Sequence, residues 1–203
     1  MAGRARKPRR TGRLFVLLRV RECHSGRDCL PAAGRLAQGG STDRVGPLPL
    51  PAVDEALWTQ LTLCREASAA RVAEALYPAD LTRQADFYSE LCTKRSRGRA
   101  AAWTLEQGST VVCTVGAYAL CNGQAYMACG QTAQPLRGKG IGGGRGVLRG
   151  GRDGGRLIVE MANSLAAEGL RPVFLCAPER VRFYTRLGFA KQAEYARYVP
   201  EKS

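Results

Sequence analysis

Apolar residues recur at helical spacing over residues 54–91, and this part of the chain predicts two helices. Asp54 is a suitable N-cap for the first, which runs to residue 77 because Pro78 cannot continue it. Asp80 caps the second helix. Its apolar face combines Leu81, Ala85, Tyr88 and Leu91.

The pattern changes after residue 99 to runs rich in β-branched and aromatic side chains. These runs are residues 101–106, 110–120 and 124–131. Short polar turns divide them, and the second turn is Asn122-Gly123. Asn-Gly between two such runs is a strong signal for a β-hairpin. The middle of the chain therefore predicts an antiparallel sheet.

The last part of the chain alternates between helix and strand. An apolar stripe predicts a helix from about residue 156 to Gly169, and the continuous apolar run at 172–177 predicts a buried strand. A further helix ends at Gly188, and residues 189–199 return to strand. This order of elements indicates a mixed α/β layer architecture.

Charge is concentrated outside this predicted body. The chain has 203 residues and a net charge of +14, of which residues 1–50 hold eleven Lys or Arg against three acids. We expect 1–50 to be a basic, disordered extension, in which only residues 14–20 could form a strand. Residues 51–203 are then long enough for one domain. Basic charge in an extension favours attraction to anions and says little about the folded body.

The eight cysteines include no Cys-x-x-Cys pair and several lie inside apolar runs, which favours a reduced, intracellular protein. Cys23, His24 and Cys29 are the only close Cys/His group, so no metal site is predicted. No apolar run approaches the roughly 18–20 residues that span a bilayer. The apolar patch at residues 14–18 is shorter than a secretory signal core. We therefore expect a cytoplasmic protein without a membrane segment.

Candidate chemistry begins at residues 137–142, which read Arg-Gly-Lys-Gly-Ile-Gly. A glycine-spaced turn that enters a helix can present several backbone N–H groups to a phosphate. Here residues 143–155 intervene before the predicted helix, and eight glycines lie between 142 and 155. Because glycine costs about 1 kcal/mol per helical position relative to alanine, we expect this stretch to loop out as an insert.

Two further segments accompany this turn. Residues 157–177 supply an amphipathic helix and its buried strand, and residues 183–189 read Phe-Tyr-Thr-Arg-Leu-Gly-Phe. With the Arg-x-x-Gly-x-Gly spacing at 137–142, they resemble the GNAT acetyltransferase superfamily in the order of its motifs. The resemblance covers roughly residues 100–199. It implies an α/β fold with a mixed, mostly antiparallel sheet flanked by helices.

The resemblance also implies an activity: an enzyme that moves an acetyl group from acetyl-CoA to a primary amine. Tyr184 would be the general acid toward the coenzyme A sulfur, because a phenol with a reference pKa near 10 keeps its proton at neutral pH. Glu106 is a candidate base, although a surface carboxylate is the stronger interpretation. The amine, a small molecule or a protein, is not identified. The implied coenzyme contacts are Thr132, Arg137, Gly138, Lys139, Gly140, Ile141 and Gly142.

The chain departs from the family pattern at several points. Ala177 and Arg180 stand where the family often has Asn and Ala, and a final family strand has no counterpart. Joining Gly142 to Gly155 would restore a family-like turn and helix, so we expect deletion of 143–154 to strengthen coenzyme binding.

Two alternative functions stay open. A GNAT fold with impaired catalysis would bind coenzyme A poorly, because the insert separates the helix from the turn. A nucleic-acid-associated protein would use the Arg/Gly segments, although these lack interleaved aromatics. The oligomeric state is also open, with a homodimer among the alternatives.

Overall fold

The computed structural model describes residues 14–20, 47–52, 55–133 and 150–196. Within these ranges the chain forms a seven-stranded sheet in the order β2-β3-β4-β5-β6-β1-β7. Only the β5–β6 pair is parallel, and every other neighbouring pair is antiparallel. The strands are β1 Leu14–Val20, β2 Thr62–Cys64, β3 Ala101–Gln107, β4 Thr110–Cys121, β5 Gln124–Thr132, β6 Arg171–Cys176 and β7 Phe189–Ala196.

Helices cover both faces of this sheet. They are α1 Glu55–Trp58, α2 Ala69–Leu76, α3 Leu81–Ser96, α4 Gly150–Ala167 and α5 Val181–Arg186, the last preceded by a 3₁₀ turn, Pro178–Arg180. One core lies between α4, α5 and one face of the sheet. A smaller core on the opposite face joins α2 and α3 to β3 and β4 through Val72, Leu91, Ala102 and Tyr118. The mixed α/β prediction is confirmed.

The predicted hairpins of the middle region are also confirmed. Asn122 and Gly123 both have positive φ, 49° and 69°, as a two-residue turn between antiparallel strands requires. Asp80 caps α3 as expected, since its carboxylate accepts a hydrogen bond from the Arg83 N–H at 3.0 Å.

The prediction of one continuous helix over residues 54–77 is wrong. The chain forms the four-residue α1, then the short strand β2, and then α2, which Ser68 caps. β2 pairs with β3 at the edge of the sheet, where Leu63 lies opposite Leu105. Apolar residues three and four apart suited a helix, but Leu61 and Leu63 alternate with period two and pack on the core instead. Pairing with β3 overrides the local preference.

Strand β1 forms at residues 14–20, the one part of the expected extension that could form a strand. It lies between β6 and β7, antiparallel to both, and Leu18 is fully buried. Leu48 is buried as well, and Asn163 of α4 holds its peptide through two hydrogen bonds of 2.7 and 2.9 Å. Two segments of the basic region thus belong to the folded body. Residues 1–13 and 21–46 lie outside the described ranges.

The predicted insert is shorter than expected, because α4 starts within it. The helix begins at Gly150, whereas the composition predicted a start near Arg156. Gly155 is buried, and a Cβ added there would lie 3.4 Å from Leu187 Cδ2. Packing of this turn against α5 offsets the low helix propensity of glycine. Of the expected insert 143–155, residues 150–155 are helical, and 143–149 are outside the described residues.

Candidate active site

The sheet opens between β5 and β6. The two strands pair over three positions only, Gln124 with Arg171 through Tyr126 with Val173. Beyond these, β5 continues along β4 to Thr132, while β6 pairs with β1 up to Cys176. The carboxyl ends of two parallel strands therefore diverge. Such an opening is a common place for ligands in α/β proteins.

A β-bulge lies on β5 beside the opening. The register passes from Thr114 opposite Gln131 to Gly116 opposite Ala128, so β5 contains one more residue than β4 over this step. Bulges re-aim backbone groups and are frequent next to active sites. A Cβ added at Gly130 would lie 3.1 Å from Ile158 Cδ1, so α4 packs closely on the bulge. This bulge was not predicted, although a glycine inside a strand pattern is a signal for a bulge.

Thr132 stands at the end of β5 beneath the first turns of α4. Its Oγ1 lies 3.6 Å from Cys113 Sγ, and a Cβ added at Gly154 would lie 3.8 Å from the same oxygen. The N-terminal half of α4 is thus seated where β5 ends. The predicted phosphate turn at residues 137–142 lies outside the described residues, between this strand and this helix.

Tyr184 occupies the other side of the opening, on α5. Its ring centroid is 4.3 Å from that of Phe174 on β6 and 6.3 Å from that of Phe189 on β7. The residue is only 8% exposed. Burial raises the pKa of the phenol, while a hydrogen bond and the positive charge of Arg180 act in the opposite direction. The hydroxyl therefore keeps its proton at neutral pH.

Cys176 and Arg180 complete a small cluster around Tyr184. Cys176 is buried at the carboxyl end of β6, and this burial raises the pKa of its thiol. Arg180, at the end of the 3₁₀ turn, opposes that rise and Glu179 adds to it. A buried thiol with a raised pKa is a poor nucleophile. The thiol and the phenol both keep their protons at neutral pH.

Glu106, the candidate base, has partners away from the opening between β5 and β6. Its carboxylate lies 2.8 Å from the Arg71 guanidinium and accepts a hydrogen bond of 2.7 Å from Thr104 Oγ1. Glu106 is buried on β3, and two strands separate it from β6. The ion pair and the hydrogen bond account for this carboxylate as a structural group that joins α2 to the sheet.

One cluster that the sequence did not indicate joins α1 to α4. Arg156 lies over the ring of Trp58 at 4.4 Å and reaches Glu55 at 2.8 Å. It also contacts Glu160 at 3.1 Å, one turn along α4. These contacts fix the orientation of the helix whose first turns lie at the opening. No helix among the described residues is long and apolar enough to cross a membrane, and the same part of the chain contains no cluster of metal-ligating side chains.

The fold of this chain is similar to that of solved GNAT acetyltransferase structures. A structure assigned to that family, from Novosphingobium aromaticivorans, superposes with a TM-score of 0.50 and 14% identity. The match covers 90% of this chain and 61% of that one.

A second solved structure is a GCN5-related glucosamine N-acetyltransferase region of a fungal multi-domain β-N-acetylglucosaminidase. It superposes with a TM-score of 0.55 and 14% identity, over 91% of this chain and 21% of that one. This chain therefore spans less than two thirds of either protein. No family model matches the chain, and no curated protein matches it.

Proposed function

We propose that the protein is an N-acetyltransferase that moves the acetyl group of acetyl-CoA to a primary amine. The observation that carries the proposal is the opening between β5 and β6, with Thr132 on one side and a protonated, buried Tyr184 on the other. The Arg-Gly-Lys-Gly-Ile-Gly turn follows β5 directly in the chain. The fold supports the same reaction class.

The irregular edge of β5 and the composition of the turn that follows it support acetyl-CoA as the cosubstrate. The bulge at the end of β5 gives an irregular strand edge along which an extended pantetheine arm can lie. Residues 137–142 then supply backbone N–H groups and the charges of Arg137 and Lys139 for the pyrophosphate. The positive end of α4 favours an anion in the same place.

The reaction needs one proton at the leaving group. The neutral amine attacks the thioester carbonyl, and collapse of the tetrahedral intermediate breaks the C–S bond. Sulfur takes the electron pair of that bond and a proton from the Tyr184 hydroxyl. The product amide nitrogen releases its extra proton to solvent, and the phenolate regains one from solvent. General acid catalysis of this kind contributes about 10²–10⁴-fold.

Coenzyme binding and turnover test the proposal separately. Titration calorimetry of the full chain with acetyl-CoA should show saturable binding, and absence of any heat or thermal shift would remove the proposal. Thiol release with a panel of primary amines, polyamines and lysine peptides then measures turnover. Binding without turnover for any amine would identify the catalytically impaired alternative.

Tyr184→Phe removes the proton donor and keeps the ring. It should lower turnover by about 10²-fold or more while leaving coenzyme affinity unchanged. Tyr195→Phe is the matched control, because Tyr195 is 52% exposed on β7. Equal turnover in the two variants would rule out the role assigned to Tyr184.

Because α4 starts at Gly150, the deletion that tests the insert must be shorter than 143–154. Removing 143–154 would take away helical residues, including Gly154 beside Thr132. Removing 143–149 keeps α4 and brings the phosphate turn next to its first residue. We expect this shorter deletion to strengthen coenzyme binding. Equal or weaker binding would mean that the connection already lets the turn and the helix act together.

A further inference from the structure

Residues 47–52 and α1 form a strap along one side of α4. Leu48 is bound to Asn163 in the second half of the helix, whereas Trp58 contacts Arg156 in its first half. Arg156 and Asn163 are seven residues apart, so they lie on one stripe of the helix, about 10 Å from each other along its axis. The strap is therefore attached to α4 at two separate points.

The first attachment fixes the backbone of the strap. The Leu48 N–H donates to Asn163 Oδ1 at 2.7 Å, and Asn163 Nδ2 donates to the Leu48 carbonyl oxygen at 2.9 Å. The Leu48 side chain is buried in the main core, and a Cβ added at Gly188 would lie 2.7 Å from its Cδ2. This attachment thus joins α4 to the turn between α5 and β7.

The second attachment is the cluster of Arg156 with Glu55, Trp58 and Glu160. The guanidinium donates to Glu55 at 2.8 Å and to Glu160 at 3.1 Å, and it lies 4.4 Å from the centre of the Trp58 ring. Ion pairs in full contact with water contribute little to stability. Here the Arg156 side chain is only 15% exposed and stacks on an indole, which strengthens both kinds of contact.

The same turns of α4 contact the end of β5 on another side of the helix. A Cβ added at Gly154 would lie 3.8 Å from Thr132 Oγ1, and one added at Gly130 would lie 3.1 Å from Ile158 Cδ1. A movement of α4 at Arg156 therefore moves its first turns relative to Thr132. The Arg-Gly-Lys-Gly-Ile-Gly turn connects these two places in the chain.

The first turns of α4 have few side chains with which to fix their own position. Four of the six residues 150–155 are glycines, which lose more conformational freedom on ordering than any other residue. Arg156 is the next residue along the helix, and it is held from outside by Glu55 and Trp58. Contacts of the strap thus supply order that the glycine-rich turns lack.

We infer that Arg156 is a positioning residue for coenzyme A: through Glu55 and Trp58 of the strap, it seats the first turns of α4 at the end of β5. The inference rests on the proposed function. It makes coenzyme affinity depend on α1, which is attached to the side of α4 that carries Arg156 and not to the side that meets β5.

Titration calorimetry of the full chain with coenzyme A tests this dependence. Trp58→Leu removes the stacked ring without changing a charge, and it should raise Kd roughly 3-fold to 30-fold. Glu55→Gln should raise Kd as well. In the Arg156→Met background neither substitution should have a further effect, because the residue through which both act is gone. Arg156→Lys should recover part of the affinity lost in Arg156→Met.

The sign of the Glu55→Gln effect separates positioning from direct binding. If Arg156 contacted the coenzyme itself, removal of a competing carboxylate would free its guanidinium and lower Kd. A lower Kd in Glu55→Gln would therefore overturn the inference. An unchanged Kd in both Trp58→Leu and Glu55→Gln would also overturn it.

Leu91→Val controls for a general loss of stability. Leu91 is 1% exposed on α3, in the smaller core on the opposite face of the sheet. This variant should have a lower free energy of unfolding and an unchanged Kd. In turnover assays, Trp58→Leu should raise KM for acetyl-CoA and leave kcat unchanged at saturation. If Leu91→Val raised Kd as much as Trp58→Leu, the loss would reflect destabilisation alone, and Arg156 would have no positioning role.

Failure of this inference and failure of the proposed function give different results. If coenzyme A produces no heat signal with the unmodified protein, the proposed function fails, whatever the variants show. If the unmodified protein and all variants of the Arg156 cluster bind coenzyme A equally, the coenzyme site stands and the positioning role of Arg156 is wrong.

Discussion

Leu18→Ala tests whether the basic N-terminal region is part of the folded body. Leu18 is 0% exposed, and its strand lies between β6 and β7. Truncation to alanine removes three carbon atoms, at about 0.8 kcal/mol each for the lost transfer free energy. A cavity remains in a close-packed core, which brings the expected loss of unfolding free energy to about 3–5 kcal/mol.

Leu17→Ala is the matched control on the same strand. Leu17 points to the opposite face, where it is half-buried beside Leu175, itself 39% exposed. The same three carbon atoms then contribute about 1.5–2 kcal/mol, because part of their surface, up to about a third, is already in water. The two variants have identical composition, so any difference between them reports the position of β1.

Urea denaturation followed by far-UV circular dichroism measures both free energies. For a chain of this size, the loss in Leu18→Ala corresponds to a fall in Tm of roughly 6–20 °C. Equal, small losses in both variants would refute the placement of β1 in the sheet. A variant that starts at residue 51 lacks β1 and Leu48, and we expect it not to fold cooperatively.

Three further predictions concern single positions. Gly188→Ala should strongly lower the free energy of unfolding, because Gly188 has a φ of +95° and a Cβ there would lie 2.7 Å from Leu48 Cδ2. Gly169→Ala is the control: its φ is +78° but the space around it is open, so the loss there measures the backbone strain alone, about 1–2 kcal/mol. Gly154→Ala should raise the free energy of unfolding in urea by about 0.5–1 kcal/mol, because alanine favours a helix more than glycine does. The added Cβ has room, since its nearest atom, Thr132 Oγ1, would lie at an ordinary 3.8 Å. A lower free energy of unfolding would mean that this turn of α4 is not helical in solution. Turnover should fall as pH rises through the pKa of Tyr184, which lies above the ordinary 10.0, because the acid must be protonated; a fall that persists in Tyr184→Phe would point to another group.

Elements with a strong local signal were predictable. The Asn122-Gly123 turn and the Asp80 cap have the conformations and hydrogen bonds that their residue types favour, and Gly188 has the positive φ expected at the end of a helix. The apolar stripe of α4 is buried along its length: Leu157, Ile158, Met161 and Leu165. Each of these signals lies within a few residues of the element that it specifies.

Part of the candidate site was predictable for the same reason. The Phe-Tyr-x-x-x-Gly-Phe segment identified Tyr184, but its burial and its contact with Phe174 depend on how α5 packs against β6. The opening beside Thr132 follows from a register between β5 and β6, whose paired residues are 47 apart in the chain. The coenzyme contacts at residues 137–142 and the role of Tyr184 stay predictions.

The amino-acid sequence by itself determined the helices with caps, the hairpins with Asn-Gly or glycine turns, and the motifs that suggest acetyl transfer, because these depend on neighbouring residues. Tertiary structure decided three things that the local sequence left open or opposed. Strand β1 was drawn from a basic region into the sheet, since two partners satisfy its backbone and Leu18 is buried. Residues 62–64 lie in a helical pattern but form β2, because they pair with β3. Residues 150–155, four of which are glycines, are helical where α4 packs against α5. In each case burial and hydrogen bonding to distant residues outweighed a local preference of about 1 kcal/mol per residue.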